Sequence, residues 1–421
     1  MIPTYIAGSR RSASAVALAA AALVAFASPA TANTAPTFQA ASSSGAALPA
    51  PVPLGIGLAA ATGLSAPLST QGCEQQFQIA CYSPQQLRTA YNLNPLYAQG
   101  ITGAGWTVTI IDPYGSPTIQ QDLNTYDQAF GLPAATVHVH TFGTIPPFDP
   151  TNINFTAWAA ETSFDVEMVH AFAPGARIDL DVTDVSETQG VTGFPQISAA
   201  LQSSVAAGDG DVVSMSFGSA EQDFPSANDY SALTDLRAGF QAAAAHRVTL
   251  VASAGDTGAA GIDLDNATMS TGREAMWPAS DPLVTAIGGT QLAPDSAGNP
   301  QMPGVAWNEP QYPAATGGGL SVVFPRPSYQ NPVSSVVGSQ RGIPDISLSA
   351  AVNGGTWVYM SYPGSDGWGV YGGTSERGHP PSRPWSPWPT RPPDAGSATS
   401  TRRCTSSTPT AVTPRAPGCS T

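Results

Sequence analysis

Apolar and polar positions fall along this chain in blocks that read in turn as helices and strands. Residues 106–111 form an apolar, β-branched run that ends at Asp112-Pro113-Tyr114-Gly115, which predicts a buried strand followed by a turn. Residues 137–140 and 178–182 predict two further strands. Residues 211–217 and 248–252 repeat a strand-then-Gly pattern, each after an Ala-rich helical stretch. Ser83-Pro84-Gln85-Gln86-Leu87 predicts a helix start, with Ser83 as N-cap and Pro84 at the first position. Helices alternating with strands predict a doubly wound α/β domain. Functional groups in such sheets gather at the carboxyl ends of strands, where Asp112, Ser216-Phe217-Gly218 and Gly255-Asp256 stand.

The N-terminal pattern is different. Residues 1–32 read as a secretory signal peptide: Arg10 and Arg11 give the positive region, an apolar run follows from Ala15 to Ala27, and Ala30-Thr31-Ala32 gives a small-x-small cleavage site. The run is too short to span a membrane comfortably. Residues 33–72, rich in Ala, Pro, Ser and Gly, read as a linker without a core of its own. Cys73 and Cys81 bracket a short polar segment, and in an exported chain this predicts a local disulfide. No nearby His or further Cys completes a metal site there.

Charge narrows the partners. The net charge is −14, and all 15 basic residues are Arg. Six of them follow Ser375, so residues 1–375 hold nine Arg against 27 acidic residues. Such a body repels nucleic acid and anionic membrane. Protonating its carboxyls in acid relieves the self-repulsion.

Three stretches carry candidate chemistry. In residues 160–176, Phe164, Met168 and Phe172 recur every four positions, which predicts a helix that Pro174 and Gly175 end. Glu161 and Asp165 then share one face at i,i+4 spacing. They are either a solvated acidic stripe or a coupled carboxyl pair that shares a proton. Residues 251–259 run a strand into a small-residue turn with Asp256 at its tip. That Asp either forms the turn or aims a carboxyl at a reacting carbonyl. Residues 368–375, Trp-Gly-Val-Tyr-Gly-Gly-Thr-Ser, end on Ser375, a capping Ser or a nucleophile at a helix start.

The ordered set of motifs resembles the sedolisin family of serine-carboxyl peptidases. The landmarks are Pro-Gln-Gln-Leu-Arg-Thr-Ala-Tyr at 84–91, the Glu-x-x-x-Asp helix ending in Ala-Pro-Gly-Ala, Met215-Ser216-Phe217-Gly218 with Glu221, and Ser253-Ala254-Gly255-Asp256-Thr257-Gly258. Trp277-Pro278-Ala279-Ser280, Gly288-Gly289-Thr290, Gly317-Gly318-Gly319-Leu320-Ser321, Pro344-Asp345-Ile346-Ser347 and Gly372-Gly373-Thr374-Ser375 complete it over residues 83–375. The resemblance implies a subtilisin-like fold, with a parallel central sheet flanked by helices on both faces. It implies Ser375 as nucleophile, Glu161 as general base, Asp165 as its orienting partner and Asp256 as a protonated oxyanion donor. These residue types suit acid: a His base would be cationic there, a Glu is still partly ionised near pH ~4, and a carboxylic acid donates only while protonated. The implied partners are protein or peptide substrates, handled by a monomer outside the cell.

A subtilisin-like Asp/His/Ser site is the enzymatic rival, with Asp112 as its Asp. None of His138, His140, His170, His246 and His379 has the Gly-Thr-His context that such a site uses. The other rival is a non-catalytic relic or binding domain, and the residues after Ser375 raise it. Where the family places small and apolar residues with a Pro four places on, residues 376–421 hold ten Pro, six Arg and no Leu, Ile, Phe or Met. That composition predicts a disordered tail. Read from the third base of the Glu376 codon with GC-rich codons, Glu-Arg-Gly-His-Pro becomes Ala-Gly-Ala-Pro, which restores the expected Pro; we read residues 376–421 as frame-shifted. The segment through which the family binds calcium has no counterpart here, so no cofactor is expected. The family's large propeptide has none either.

Overall fold

The computed structural model describes residues 64–186, 193–208, 210–224, 229–261, 272–311, 314–365 and 367–374. The signal-peptide reading, Ser375 and the tail 376–421 lie outside the described residues. An eight-stranded sheet forms the centre. Its strands are Thr107–Pro113 (β1), Val137–Phe142 (β2), Arg177–Thr183 (β3), Val212–Met215 (β4), Thr249–Ser253 (β5), Val284–Gln291 (β6), Val305–Ala306 (β7) and Ile346–Ser349 (β8). The spatial order is β7-β6-β5-β4-β1-β3-β2, with β8 also paired to β6. Every pairing is parallel except β6 with β7. This is the parallel central sheet of a subtilisin-like fold.

Alternation along the strands places helices on both faces. Val108 and Ile110 of β1 point to one side, where they meet Ile119 and Leu123 of helix α1 (Ile119–Phe130) and Val166 and Val169 of helix α2 (Ile153–Phe172). Ile111 points to the other, with Ile197 and Leu201 of α3 (Phe194–Ala207) and Phe240 of α4 (Ala238–His246). The every-fourth-residue stripe of α2 is buried as well. Phe164 and Met168 pack with Met360, Trp368 and Val370 of a hairpin formed by β9 (Gly355–Met360) and β10 (Gly367–Tyr371). With two stripes covered, α2 is buried through most of its length, which turns its carboxyls inward.

The capped helix starts where expected. Ser83 accepts the Gln86 N–H and the Gln86 side chain accepts the Ser83 N–H, a reciprocal capping box. The linker is corrected at its end. Within the stretch read as linker, a helix starts at Thr70 and runs to Phe77, and Leu64 and Leu68 pack on the cluster around Trp357. Cys73 lies inside that helix and is disulfide-bonded to Cys81, which opens a short strand parallel to β9.

Candidate active site

Three adjacent parallel strands end side by side, and each delivers a polar group. β1 carries Asp112 near its end, β4 is followed by Ser216, and β5 by Gly255-Asp256. Helix α2 packs across β1 and brings Glu161 and Asp165 to the same region. Glu161 is 2 % exposed, and Asp165 and Asp112 are fully buried. The solvated-stripe reading of this pair is thereby excluded.

Asp165 faces two groups from the sheet, the Asp112 carboxyl and the Ser216 hydroxyl. Burial pushes Asp165 well above the usual carboxyl range, the Asp112 charge pushes it further, and the Ser216 hydroxyl pulls part of the way back. Burial raises Asp112 to about 7, against the pull of the Thr162 hydroxyl. Two neighbouring buried carboxyls ionise together only at high cost, so this pair keeps a proton through the acid range. Motif reading paired Asp165 with Glu161 and placed Asp112 and Ser216 at strand ends; that both face Asp165, with Thr162 beside Asp112, emerges only when β1, β4 and α2 are assembled.

Asp256 sits on a pinned loop. Gly255 has φ +101°, a conformation that favours glycine, and its carbonyl accepts the Gly317 N–H at 2.5 Å. The Asp256 carbonyl accepts the Ala315 N–H at 2.8 Å. The Asp256 side chain reaches the stretch that precedes Ser375: Oδ1 accepts the Thr374 N–H at 2.7 Å and the Thr374 hydroxyl at 2.6 Å. The residue keeps part of its surface open, but desolvation of the carboxyl dominates and raises it to about 6, with both Thr374 bonds opposing the rise. A β-carbon on Gly372 would stand 2.5 Å from the Ala350 carbonyl oxygen, and the Gly373 N–H donates to that oxygen at 2.8 Å. The glycines let this segment lie against residues 350–352. Phe164, on α2 between Glu161 and Asp165, has its ring 6.0 Å from that of Tyr371. The helix with the carboxyl pair and the strand leading to Thr374 are therefore packed together.

The Asp/His rival finds no support in this arrangement. His170, about two and a half turns along α2 from Glu161, is buried with Nε2 2.7 Å from the Pro133 carbonyl and 3.3 Å from Asp127. Asp112 faces Asp165 and Thr162 instead.

Sequence comparison agrees with the geometry. The chain is 30% identical over 281 residues to Kumamolisin of Bacillus sp. strain MN-32, covering 64% of this chain and 46% of that protein. It is 31% identical over 287 residues to Sedolisin of Pseudomonas sp. strain 101, covering 66% and 46%. Among solved structures it resembles Pseudomonas sedolisin, a serine-carboxyl proteinase complexed with two molecules of pseudo-iodotyrostatin. The TM-score is 0.58 at 28% identity, over 71% of this chain and 77% of that one. By these similarities the chain is close in kind to serine-carboxyl peptidases of the sedolisin type. No protein-family model matches it. It spans about half the length of these curated relatives, at 46% of each.

Several sedolisin-family landmarks turn out to be structural. Glu221 accepts the Ser321 hydroxyl at 2.6 Å and the Val322 N–H at 2.7 Å, joining two of them. Asp345 accepts two bonds from the buried Arg341 and the Ala286 N–H at 2.9 Å. Among the described residues no cluster of His, Cys, Asp and Glu is arranged to hold a metal. The family's calcium segment would follow Ser375, where the sequence has only Glu376 and Asp394 as carboxylates. Calcium takes about six to eight oxygen ligands, more than these two carboxylates supply.

Proposed function

We propose that this chain is an exported acid endopeptidase that cleaves protein or peptide substrates through an acyl-enzyme at Ser375. Glu161 takes the Ser375 proton as the hydroxyl oxygen attacks the scissile carbonyl. Asp165 orients Glu161, and Asp256, protonated, donates to the developing oxyanion. Glu161 then gives its proton to the departing amine; in the second half it takes a proton from the water that attacks the ester and passes it to the leaving Ser375 oxygen, which restores both groups. One oxyanion donor is worth roughly 3–4 kcal/mol of barrier.

The observation that carries this reading is the Asp256–Thr374 contact, a carboxyl protonated below about 6 held against the residue before Ser375. Export is supported by Arg10-Arg11, the apolar run after them, Ala30-Thr31-Ala32, and the Cys73–Cys81 disulfide, which suits an oxidising compartment. Among the described residues no helix is long and apolar enough to cross a membrane.

A second reading, a catalytically silent relic of the same fold, is favoured by one observation: the family pattern stops at Ser375 and residues 376–421 depart from it. A peptidase assay at about pH 3–5, comparing this chain with a frame-restored version, separates the two. We expect the restored chain to be active and this one to be much weaker. Equal activity in both would remove the relic reading, and silence in both would remove the peptidase reading.

A further inference from the structure

We propose that Thr374 is a positioning residue that decides which oxygen of Asp256 carries the proton, by holding Oδ1 as an acceptor and leaving the proton to Oδ2. The Thr374 backbone N–H can only donate, and it reaches Oδ1 at 2.7 Å. The Thr374 hydroxyl could donate or accept. The Gly255 N–H, 3.2 Å away, donates to that hydroxyl oxygen and so occupies one of its lone pairs. Its hydrogen is then directed to Oδ1, 2.6 Å away. An oxygen that receives two donors is the carbonyl-like oxygen of a neutral carboxyl. When Asp256 is protonated, the acidic hydrogen therefore sits on Oδ2.

The competing arrangement puts the hydrogen on Oδ1 and donates it to the Thr374 hydroxyl. It leaves the Thr374 N–H against a hydroxyl oxygen, a poorer acceptor, and makes the hydroxyl take two donors. The two arrangements predict opposite effects on Asp256. If Thr374 donates, it favours the ionised carboxylate, and removing the hydroxyl raises the Asp256 midpoint. If Thr374 accepts, it favours the neutral acid, and removing it lowers the midpoint. The use of the Oδ2 proton at an oxyanion rests on the peptidase reading above; its location does not.

The test uses the full chain with Thr374→Val and Thr374→Ser. The Asp256 carboxyl carbon is followed by NMR through a pH titration and assigned with Asp256→Asn. We expect the Val variant to titrate above the wild-type midpoint of about 6 and the Ser variant to return to it. A lower or unchanged midpoint in the Val variant overturns the proposal, as does a raised midpoint that Ser fails to restore. Thr374→Ala gives the same readout if Val does not fold. In a chain that cleaves peptides at acid pH, the Val variant should lose about tenfold in kcat with KM unchanged, the worth of one hydrogen bond. If no peptidase activity exists, the peptidase reading fails, while the direction of the titration still decides where the proton lies.

Discussion

The carboxyl of Glu167 accepts the backbone N–H of Tyr359 at 3.0 Å and so ties the helix bearing Glu161 and Asp165 to the hairpin that leads to Thr374. Glu167 is fully buried, and three titratable groups share its surroundings. Asp122 and Asp127 come from α1, and His170 lies one turn further along α2. Asp122 accepts the hydroxyls of Thr118 and Ser361. Arg88 reaches the end of α2, donating to the Ala171 carbonyl at 2.6 Å, and its charge lowers His170 after burial has already done so.

This cluster predicts that the fold is stronger in acid. Burial raises Glu167 well above its ordinary value, against the Tyr359 bond and with the charges of Asp122 and Asp127, and it raises Asp127 to about 7. Acids raised on folding bind more protons folded than unfolded. Their contribution is complete below the unfolded value near ~4 and is lost as pH rises through the folded value. Thermal unfolding followed by circular dichroism should give a higher Tm at pH 5 than at pH 8, and Glu167→Gln should flatten the difference. A Tm at pH 8 equal to or above that at pH 5 would contradict the assignment.

Asp112→Asn removes the charge that faces Asp165. The Asp165 midpoint should fall, because one of the two influences raising it is gone. The same variant should lose less stability than the wild type between pH 5 and pH 8, since Asp112 itself titrates at about 7. Carboxyl NMR and denaturant titrations at the two pH values check this.

Glu161→Gln and Asp165→Asn, which change a carboxyl to an amide of the same shape, should each keep the fold at pH 4, and each should lose roughly 10²–10⁴-fold in kcat in a frame-restored active chain. Retained activity in Glu161→Gln would falsify its role as general base.

Gly372→Ala should weaken both fold and site. The added β-carbon meets the Ala350 oxygen at 2.5 Å and the Ala351 carbonyl carbon at 2.9 Å, and backbone on both sides cannot yield cheaply. A loss of about 1–3 kcal/mol in denaturant unfolding is expected, together with a changed Asp256 titration as Thr374 shifts.

Opening the Cys73–Cys81 bridge with Cys81→Ala should cost about 2–3 kcal/mol, the closure entropy of so short a loop, in addition to lost packing of a buried side chain. Unchanged denaturant stability would show that residues 70–82 contribute little to the fold.

The sequence by itself determined five strands of the central sheet, the α2 helix and the candidacy of Glu161, Asp165 and Asp256. Each is written in local terms: the β-branched run ending at Asp112, the four-residue recurrence of Phe164, Met168 and Phe172, and the small-residue turn around Asp256. Even so, periodicity could not tell whether Glu161 and Asp165 faced water or protein. Burial of α2 against both β1 and the β9–β10 hairpin decided that. Tertiary structure alone placed Asp112 beside Asp165, because β1 lies between β4 and β3 rather than beside its neighbour in the chain. It alone brought Thr374 onto Asp256, 118 residues away, and grouped Asp122, Asp127, Glu167 and His170. It also extended order back into the stretch read as linker, where Leu64 and Leu68 find a surface supplied by the hairpin. Local pattern fixes which way a side chain alternates; what it meets there is set by crossover connections and packing between distant segments.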